Sequence, residues 1–190
     1  MHSAQPPIRP AAAHDCSSLA ALSIEVWLGT YLRHGVSAQF SDYALDHFTP
    51  AHFEAALADP QERFLVSQNQ QGIDGYIRLS HGRPCPVGGP SCTEISTLYV
   101  QPRHHGSGTG RCLLAAGLEL CRGLGWDAPW LTTNSENRPA IGFYLRHGFS
   151  RTGMTHFQIG GEKYPNDVFQ FAQSGQPHGA RANALQDFTE

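Results

Sequence analysis

What this 190-residue chain lacks bounds it first. It has no run of 18 or more apolar residues, so nothing in it matches the span of a bilayer. It has no excess of positive charge. Thirteen Lys and Arg stand against 16 Asp and Glu, for a formal net charge of -3. The clustered basic surface that non-specific nucleic-acid binding needs therefore has no source. Cys-x-x-Cys pairs are absent, and the five cysteines (Cys16, Cys85, Cys92, Cys112, Cys121) are odd in number. That is the pattern of reduced thiols rather than of a disulfide framework. Met1 to Pro7 lack the apolar core of a signal peptide. The expectation is a cytoplasmic protein with neither a membrane nor a nucleic acid as partner.

Further absences concern organisation and metals. No internal repeat and no interior linker divide the chain, and 190 residues suffice for one domain with a real core. Eleven histidines are scattered along it. His81 lies near Cys85 and Cys92, but the trio has the wrong spacing for zinc, so no metal is expected and solvated loop residues are the simpler reading. The expected plan is a flexible N-terminus over 1–7, one domain over 8–172 and a polar tail over 173–190. A short helix around Ala182 to Phe188 is one option for that tail.

What is present reads as alternating strands and helices. Ile8-Arg9-Pro10 is a short strand. Asp15 is placed to cap a helix running through Leu19, Leu22, Val26 and Leu28, apolar positions three and four apart. Phe40 to Phe48 allows a further turn or two of helix. Thr49 then caps a helix with Pro50 in its first turn and Phe53 and Leu57 on one face. Arg63 to Ser67 and Tyr76 to Leu79 read as strands about a turn at Gln71 to Gly75. His81 to Ser91, rich in Pro and Gly, reads as an irregular loop. Strands follow at Glu94 to Val100, Trp130 to Thr133, Phe149 to Phe157 and Val168 to Phe171. Helices run to about Arg122 and from Asn137 to Gly148. Short connections suit antiparallel pairing, and the helix before Arg122 suits one parallel crossover. The expected fold is a single α/β (α+β) domain: a mixed, mostly antiparallel sheet with helices on both faces.

The most informative stretch is His105-Gly106-Ser107-Gly108-Thr109-Gly110-Arg111. It follows the strand-like Glu94-Ile95-Ser96-Thr97-Leu98-Tyr99-Val100 and opens a helix. Such a turn directs several backbone N–H groups at one point where the helix dipole adds positive potential, which suits a phosphate. Taken alone the signal is weak. A Walker loop would need Gly-Lys-Ser/Thr, which is absent. A dinucleotide site would sit after the first strand of a parallel sheet with an acid about twenty positions on, and only Asp127 approximates that acid.

The second element is Asn137-Arg138-Pro139-Ala140-Ile141-Gly142-Phe143-Tyr144, followed by Gly148-Phe149. Asn137 can cap the helix and offer an amide. Ala140 or Ile141 and then Tyr144 fall on the same face in successive turns, and a small residue at 140 lets a ligand approach. Tyr144 has a second reading, a core tyrosine whose hydroxyl reaches the surface.

Leu98-Tyr99-Val100-x-Pro102, the loop from His105 to Gly110 and the stretch from Asn137 to Phe149 together resemble the GNAT N-acetyltransferase superfamily. The motifs cover about 94–149 and the element order about 8–171. The family's phosphate loop usually reads Gln/Arg-x-x-Gly-x-Gly/Ala; here His105 stands first, with glycines at 108 and 110. Within the superfamily the chain looks most like the bacterial spermidine/spermine N-acetyltransferases of the Pai type. The residues behind that likeness are Leu22-Ser23-Ile24-Glu25, the Tyr43 to Phe53 region, Glu94-Ile95, Trp130-Leu131, Gly153 to Phe157, Gly160 and Asp167.

The resemblance implies acetyl transfer from acetyl-CoA, without a metal, to the amine of a small molecule, polyamines being the first class to consider. It implies that the backbone at Leu98, Tyr99 and Val100 pairs with pantetheine. His105, Gly106, Ser107, Gly108, Thr109, Gly110 and Arg111 would cradle the pyrophosphate, and Asn137 would bond the pantetheine arm beside Ala140. Tyr144 matches the general acid for the leaving thiolate. Glu94 is the candidate base, directly or through water; a solvated strand carboxylate is its other reading. Asp42 and Asp46, one helical turn apart, either attract a cationic acceptor or form a solvated face. Trp27 and Tyr31 line an acceptor pocket or belong to the core. A protein or peptide N-acetyltransferase and a non-catalytic CoA-binding module remain as alternatives. A homodimer is one option for the oligomer.

Overall fold

Period-two alternation in the strands sends neighbouring side chains to opposite sides of one sheet, and that builds two cores. On one side Leu65, Ile77, Leu79, Ile95, Leu131 and Phe169 meet Leu113, Leu114 and Tyr144. On the other, Phe64, Val66 and Tyr76 meet Leu19, Leu22 and Phe53. Phe64, Leu65 and Val66 thus alternate between the two layers, as the pleat requires. Each fully buried leucine contributes about 1.5–3 kcal/mol relative to an exposed one.

The computed structural model describes residues 7–32, 35–159 and 161–172, with the side chain of Tyr31 excepted. The expected tail over 173–190, Gly160, the first six residues and the pocket role of Tyr31 lie outside the described residues. The elements run β1 (Ile8–Pro10), α1 (Cys16–Tyr31), α2 (Ala38–His47), α3 (Pro50–Ala58), β2 (Glu62–Gln68), β3 (Ile73–His81) and β4 (Thr93–Val100). Then come α4 (Thr109–Gly123), β5 (Trp130–Asn134), α5 (Arg138–Arg146), β6 (Phe149–Ile159) and β7 (Glu162–Phe171). Among the described residues the sheet has the order β1-β2-β3-β4-β5-β7-β6. Its pairs are antiparallel except β4 with β5. Helices α1 and α3 cover one face and α4 and α5 the other. The expected mixed α/β sheet, with a single parallel crossover carried by α4, is the observed one. Gly117 lets α4 approach β3, since a Cβ there would stand 2.7 Å from Ile77 Cδ1. No helix among the described residues is long and apolar enough to cross a membrane.

Local signals at Thr49 and Asn137 behave as read: Thr49 accepts the N–H of His52 at 3.2 Å, and Asn137 Oδ1 accepts that of Ala140 at 3.2 Å. Asp15 departs from expectation. It stands before α1 but does not cap it. Its carboxylate turns back to accept from Arg9 at 2.7 and 2.9 Å and from the Ala12 N–H at 2.8 Å. The hydrogen bond from Arg9 is the main reason its pKa falls below the usual carboxylate value. A carboxyl depressed in the folded state stabilises at neutral pH and loses that contribution as pH falls through the acid range. Asp15→Ala is therefore expected to cost about 1–3 kcal/mol at pH 7 and less in the acid range, checked by urea melts at both pH values.

β3 and β7 exceed their expected spans most. β3 begins at Ile73, which leaves Asn69 to Gly72 as the turn, with Asn69 Oδ1 accepting from the N–H groups of Gln71 and Gly72. β7 begins at Glu162 rather than Val168 because β6 pairs with it along its whole length. Pro165 and the polar run around it conceal that half of the strand in the sequence.

Candidate active site

The central feature is a gap in the sheet. β4 pairs with β3 from Thr93 to Val100, but with β5 only at Glu94 opposite Trp130. Past that point the two parallel strands splay, so among the described residues the β5-facing edge of Ile95 to Val100 has no strand beside it. An open edge of this kind offers alternating N–H and C=O groups to any extended chain laid along it. Leu98 and Val100 pack toward the α4 side. Tyr99 turns to the α1 side, its ring edge-on to that of Tyr76 at 5.7 Å.

Directly after β4 comes the glycine turn. Gly106 and Gly108 have φ of +81° and +94°, the left-handed region that favours glycine. Gly108 occupies the N-cap of α4 without a side-chain cap. The first intrahelical bond runs from the Cys112 N–H to the Gly108 carbonyl at 3.0 Å, so the amides of Thr109, Gly110 and Arg111 precede it. A Cβ built at Gly106 or Gly108 meets nothing within 4 Å, so the space before the turn is open. The turn is braced from behind. Ser107 Oγ donates to the His104 carbonyl at 2.6 Å and lies 2.9 Å from Thr109 Oγ1. The His105 ring donates from Nε2 to the Val100 carbonyl at 2.9 Å, so it ties the turn to the strand end. These features fit a diphosphate held by main-chain amides.

A cleft of about 410 Å³ is lined by Gly29, Thr30, Asn134, Glu136, Asn137 and Pro139 among others. The Asn137 oxygen caps the helix, which leaves its NH2 group as the donor. Ala140 is partly buried against the core. Tyr144 is only 8% exposed, its ring set against Phe143, Phe149 and Phe169. Burial pushes its hydroxyl above the ordinary tyrosine range, so it stays protonated at neutral pH. The ring is thus a core ring.

Glu94 is half-buried on the α1 side, and burial is the main reason its carboxyl is raised above the usual value. Glu62 adds to the rise, while Arg83 and Arg78 oppose it. A carboxyl raised this way remains a usable base at neutral pH and a stronger one than a solvated glutamate.

Sequence reasoning missed the residues beside Glu94. The register pairs Glu62 with Ser80 and Ser80 with Glu94, which puts all three in one row across β2, β3 and β4. The Glu62 side chain, 3% exposed, accepts from Arg78 Nε at 2.8 Å and from Ser80 Oγ at 2.7 Å. Ser80 Oγ lies 3.0 Å from Ser96 Oγ. Ser96 is the extra residue of a β-bulge, since Arg78 pairs with Thr97 and Leu79 with Ile95. Distant strands meet in this row, and nothing in local spacing announces it.

Other sequence candidates separate. Trp27 is buried among Phe40, Tyr43 and Phe48 and belongs to the core. Asp42 and Asp46 are exposed on α2. Asp127 accepts the Cys92 N–H at 3.2 Å, away from the glycine turn. His81 stacks on Trp126, whereas Cys85 packs with Trp130 and Val168, so that histidine and cysteine do not converge.

The family model described as Acetyltransferase (GNAT) family matches residues 26–149. An uncharacterised N-acetyltransferase of Mycobacterium tuberculosis is 31% identical over 114 residues, which are 60% of this chain and 69% of that protein. The N-alpha-acetyltransferase RimI of the same organism is 30% identical over 109 residues, 57% of this chain and 65% of that one. The PaiA N-acetyltransferase of Thermoplasma acidophilum, solved in complex with coenzyme A, superposes with a TM-score of 0.71. It covers 88% of this chain and 98% of its own at 17% identity, a likeness of fold.

Proposed function

The chain belongs to the GNAT acetyltransferase family, and on that premise we propose that it moves the acetyl group of acetyl-CoA to a primary amine of a small molecule. The observation that carries this reading is the open β4 edge, flanked by the amides that open α4 at one end and the half-buried Glu94 at the other. In this reading pantetheine lies along Leu98 to Val100, and the amides from Gly106 to Arg111 hold the pyrophosphate. The Asn137 NH2 group bonds the arm from the α5 side. The amine attacks the thioester carbonyl, so a C–N bond forms and the C–S bond breaks. Glu94 takes the amine proton, and Tyr144 donates toward the departing thiolate.

Acetyl-CoA supplies the activated acetyl group; the protein contributes orientation and proton handling. Polyamines are the first acceptors to test, supported by the exposed Asp42 and Asp46 and by the Pai-type likeness of the motifs. A second reading, acetylation of a protein or peptide N-terminus, draws support from the similarity to RimI.

Free-thiol release from acetyl-CoA, measured across polyamines, amino acids and short peptides, decides between the two. Turnover with peptides alone overturns the small-molecule reading. Binding without turnover on any of them leaves a CoA-binding module. Glu94→Gln is expected to lower kcat about a hundredfold near neutral pH, the lower end of the range for general-base help. The deficit should shrink as pH rises and free amine accumulates. A loss equal at all pH values assigns Glu94 to positioning.

A further inference from the structure

The serine at the β4 bulge has an enforced hydrogen-bond direction. Glu62 Oε2 accepts from Arg78 Nε at 2.8 Å and from Ser80 Oγ at 2.7 Å. Ser80 has one proton, and Glu62 Oε2 at 2.7 Å takes it. Toward Ser96, at 3.0 Å, Ser80 is therefore an acceptor. The Ser96 proton goes inward, to Ser80 or to the Arg78 carbonyl at 3.4 Å. Either choice leaves the lone pairs of Ser96 Oγ turned outward, and Ser96 is exposed. A free surface hydroxyl rotates between donor and acceptor; this one is held as an acceptor by a chain that ends on a buried ion pair. Glu94, two residues earlier on the same strand, is a second acceptor on the same side of the sheet, since Ser80 faces both.

We propose that Ser96 receives one N–H of the attacking amine while Glu94 receives the other, so that the site selects primary over secondary amines. The inference rests on the amine-acetylation reading above. A primary amine fills both acceptors and keeps its lone pair for the carbonyl. A secondary amine has a single N–H and leaves either the exposed Ser96 or the half-buried Glu94 without an amine partner. Sites built to bond a group discriminate strongly against analogues that lack it. Glu62 and Ser80 act through Ser96 and are positioning residues.

The test is thiol release with primary amines paired with their N-methyl analogues: benzylamine, glycine, an alanyl peptide, and putrescine with N,N′-dimethylputrescine. The wild type is expected to favour the primary member about a hundredfold or more in kcat/KM. Ser96→Ala should cut that preference about tenfold, as should Ser96→Cys, which keeps the shape and accepts hydrogen bonds poorly. Ser96→Thr should retain it. Ser80→Ala, which leaves Ser96 in place, should lower kcat/KM for primary amines about threefold or more without moving the KM for acetyl-CoA. Equal use of secondary amines by the wild type overturns the inference, as does an unchanged preference in Ser96→Ala or an inert Ser80→Ala. If acetyl-CoA binds and no amine releases thiol, the amine-acetylation reading fails, and the inference falls with it.

Discussion

Gly108→Asp is expected to weaken acetyl-CoA binding about a hundredfold or more, the equivalent of about 2.7 kcal/mol. Two effects act together. Gly108 has φ +94°, so any side chain strains the turn that aims the amides. The carboxylate also stands at the N-terminus of α4, where the proposed pyrophosphate lies, and repels it. Gly108→Ala separates the two. Space is open around the added Cβ, so the alanine variant carries the backbone strain without the charge. It should lose about 1–2 kcal/mol of stability and only a modest part of the affinity. Calorimetric titration, with the thermal shift produced by acetyl-CoA as a second measure, reads both variants. Wild-type affinity in a folded Gly108→Asp protein removes the glycine turn from the site.

Tyr144→Phe is expected to lower kcat about tenfold to a hundredfold, at or below the lower end of general-acid effects, with acetyl-CoA affinity unchanged. The size follows from burial. The hydroxyl is raised above the usual tyrosine range, whereas a departing thiolate has a pKa near ~8.5. Full proton transfer to sulfur is therefore uphill, and Tyr144 assists chiefly by donating a hydrogen bond as the C–S bond breaks. The raised value also fixes the sign of the pH dependence: the acid form persists through neutral and mildly alkaline pH. An alkaline fall in kcat below the ordinary tyrosine range belongs to another group. Stability should hold in this variant, because Phe preserves the contacts with Phe143, Phe149 and Phe169. Wild-type kcat in Tyr144→Phe leaves the residue as a core tyrosine and nothing more.

Local chemistry carried a large part of this molecule. The glycines at 106 and 108, the caps at Thr49 and Asn137 and the strand alternation around Phe64 each answer to backbone geometry or the pleat, and these are properties of neighbouring residues. The turn-and-helix motif and the Asn137-to-Phe149 stretch were therefore readable, and with them the family. Asp15 was misread because its carboxylate had two suitors, the helix amides and Arg9, and only the folded chain brings the guanidinium within 2.7 Å. The second half of β7 was hidden because its strand character comes from pairing with β6 rather than from its own residues. The splay between β4 and β5 is a matter of register across a parallel crossover. The row of Glu62, Ser80 and Glu94 arises from three strands meeting edge to edge, with the bulge turning Ser96 toward it. Side chains that adjoin only through pairing of distant segments leave no local periodicity, so tertiary structure alone decided that Ser96 faces outward as a fixed acceptor.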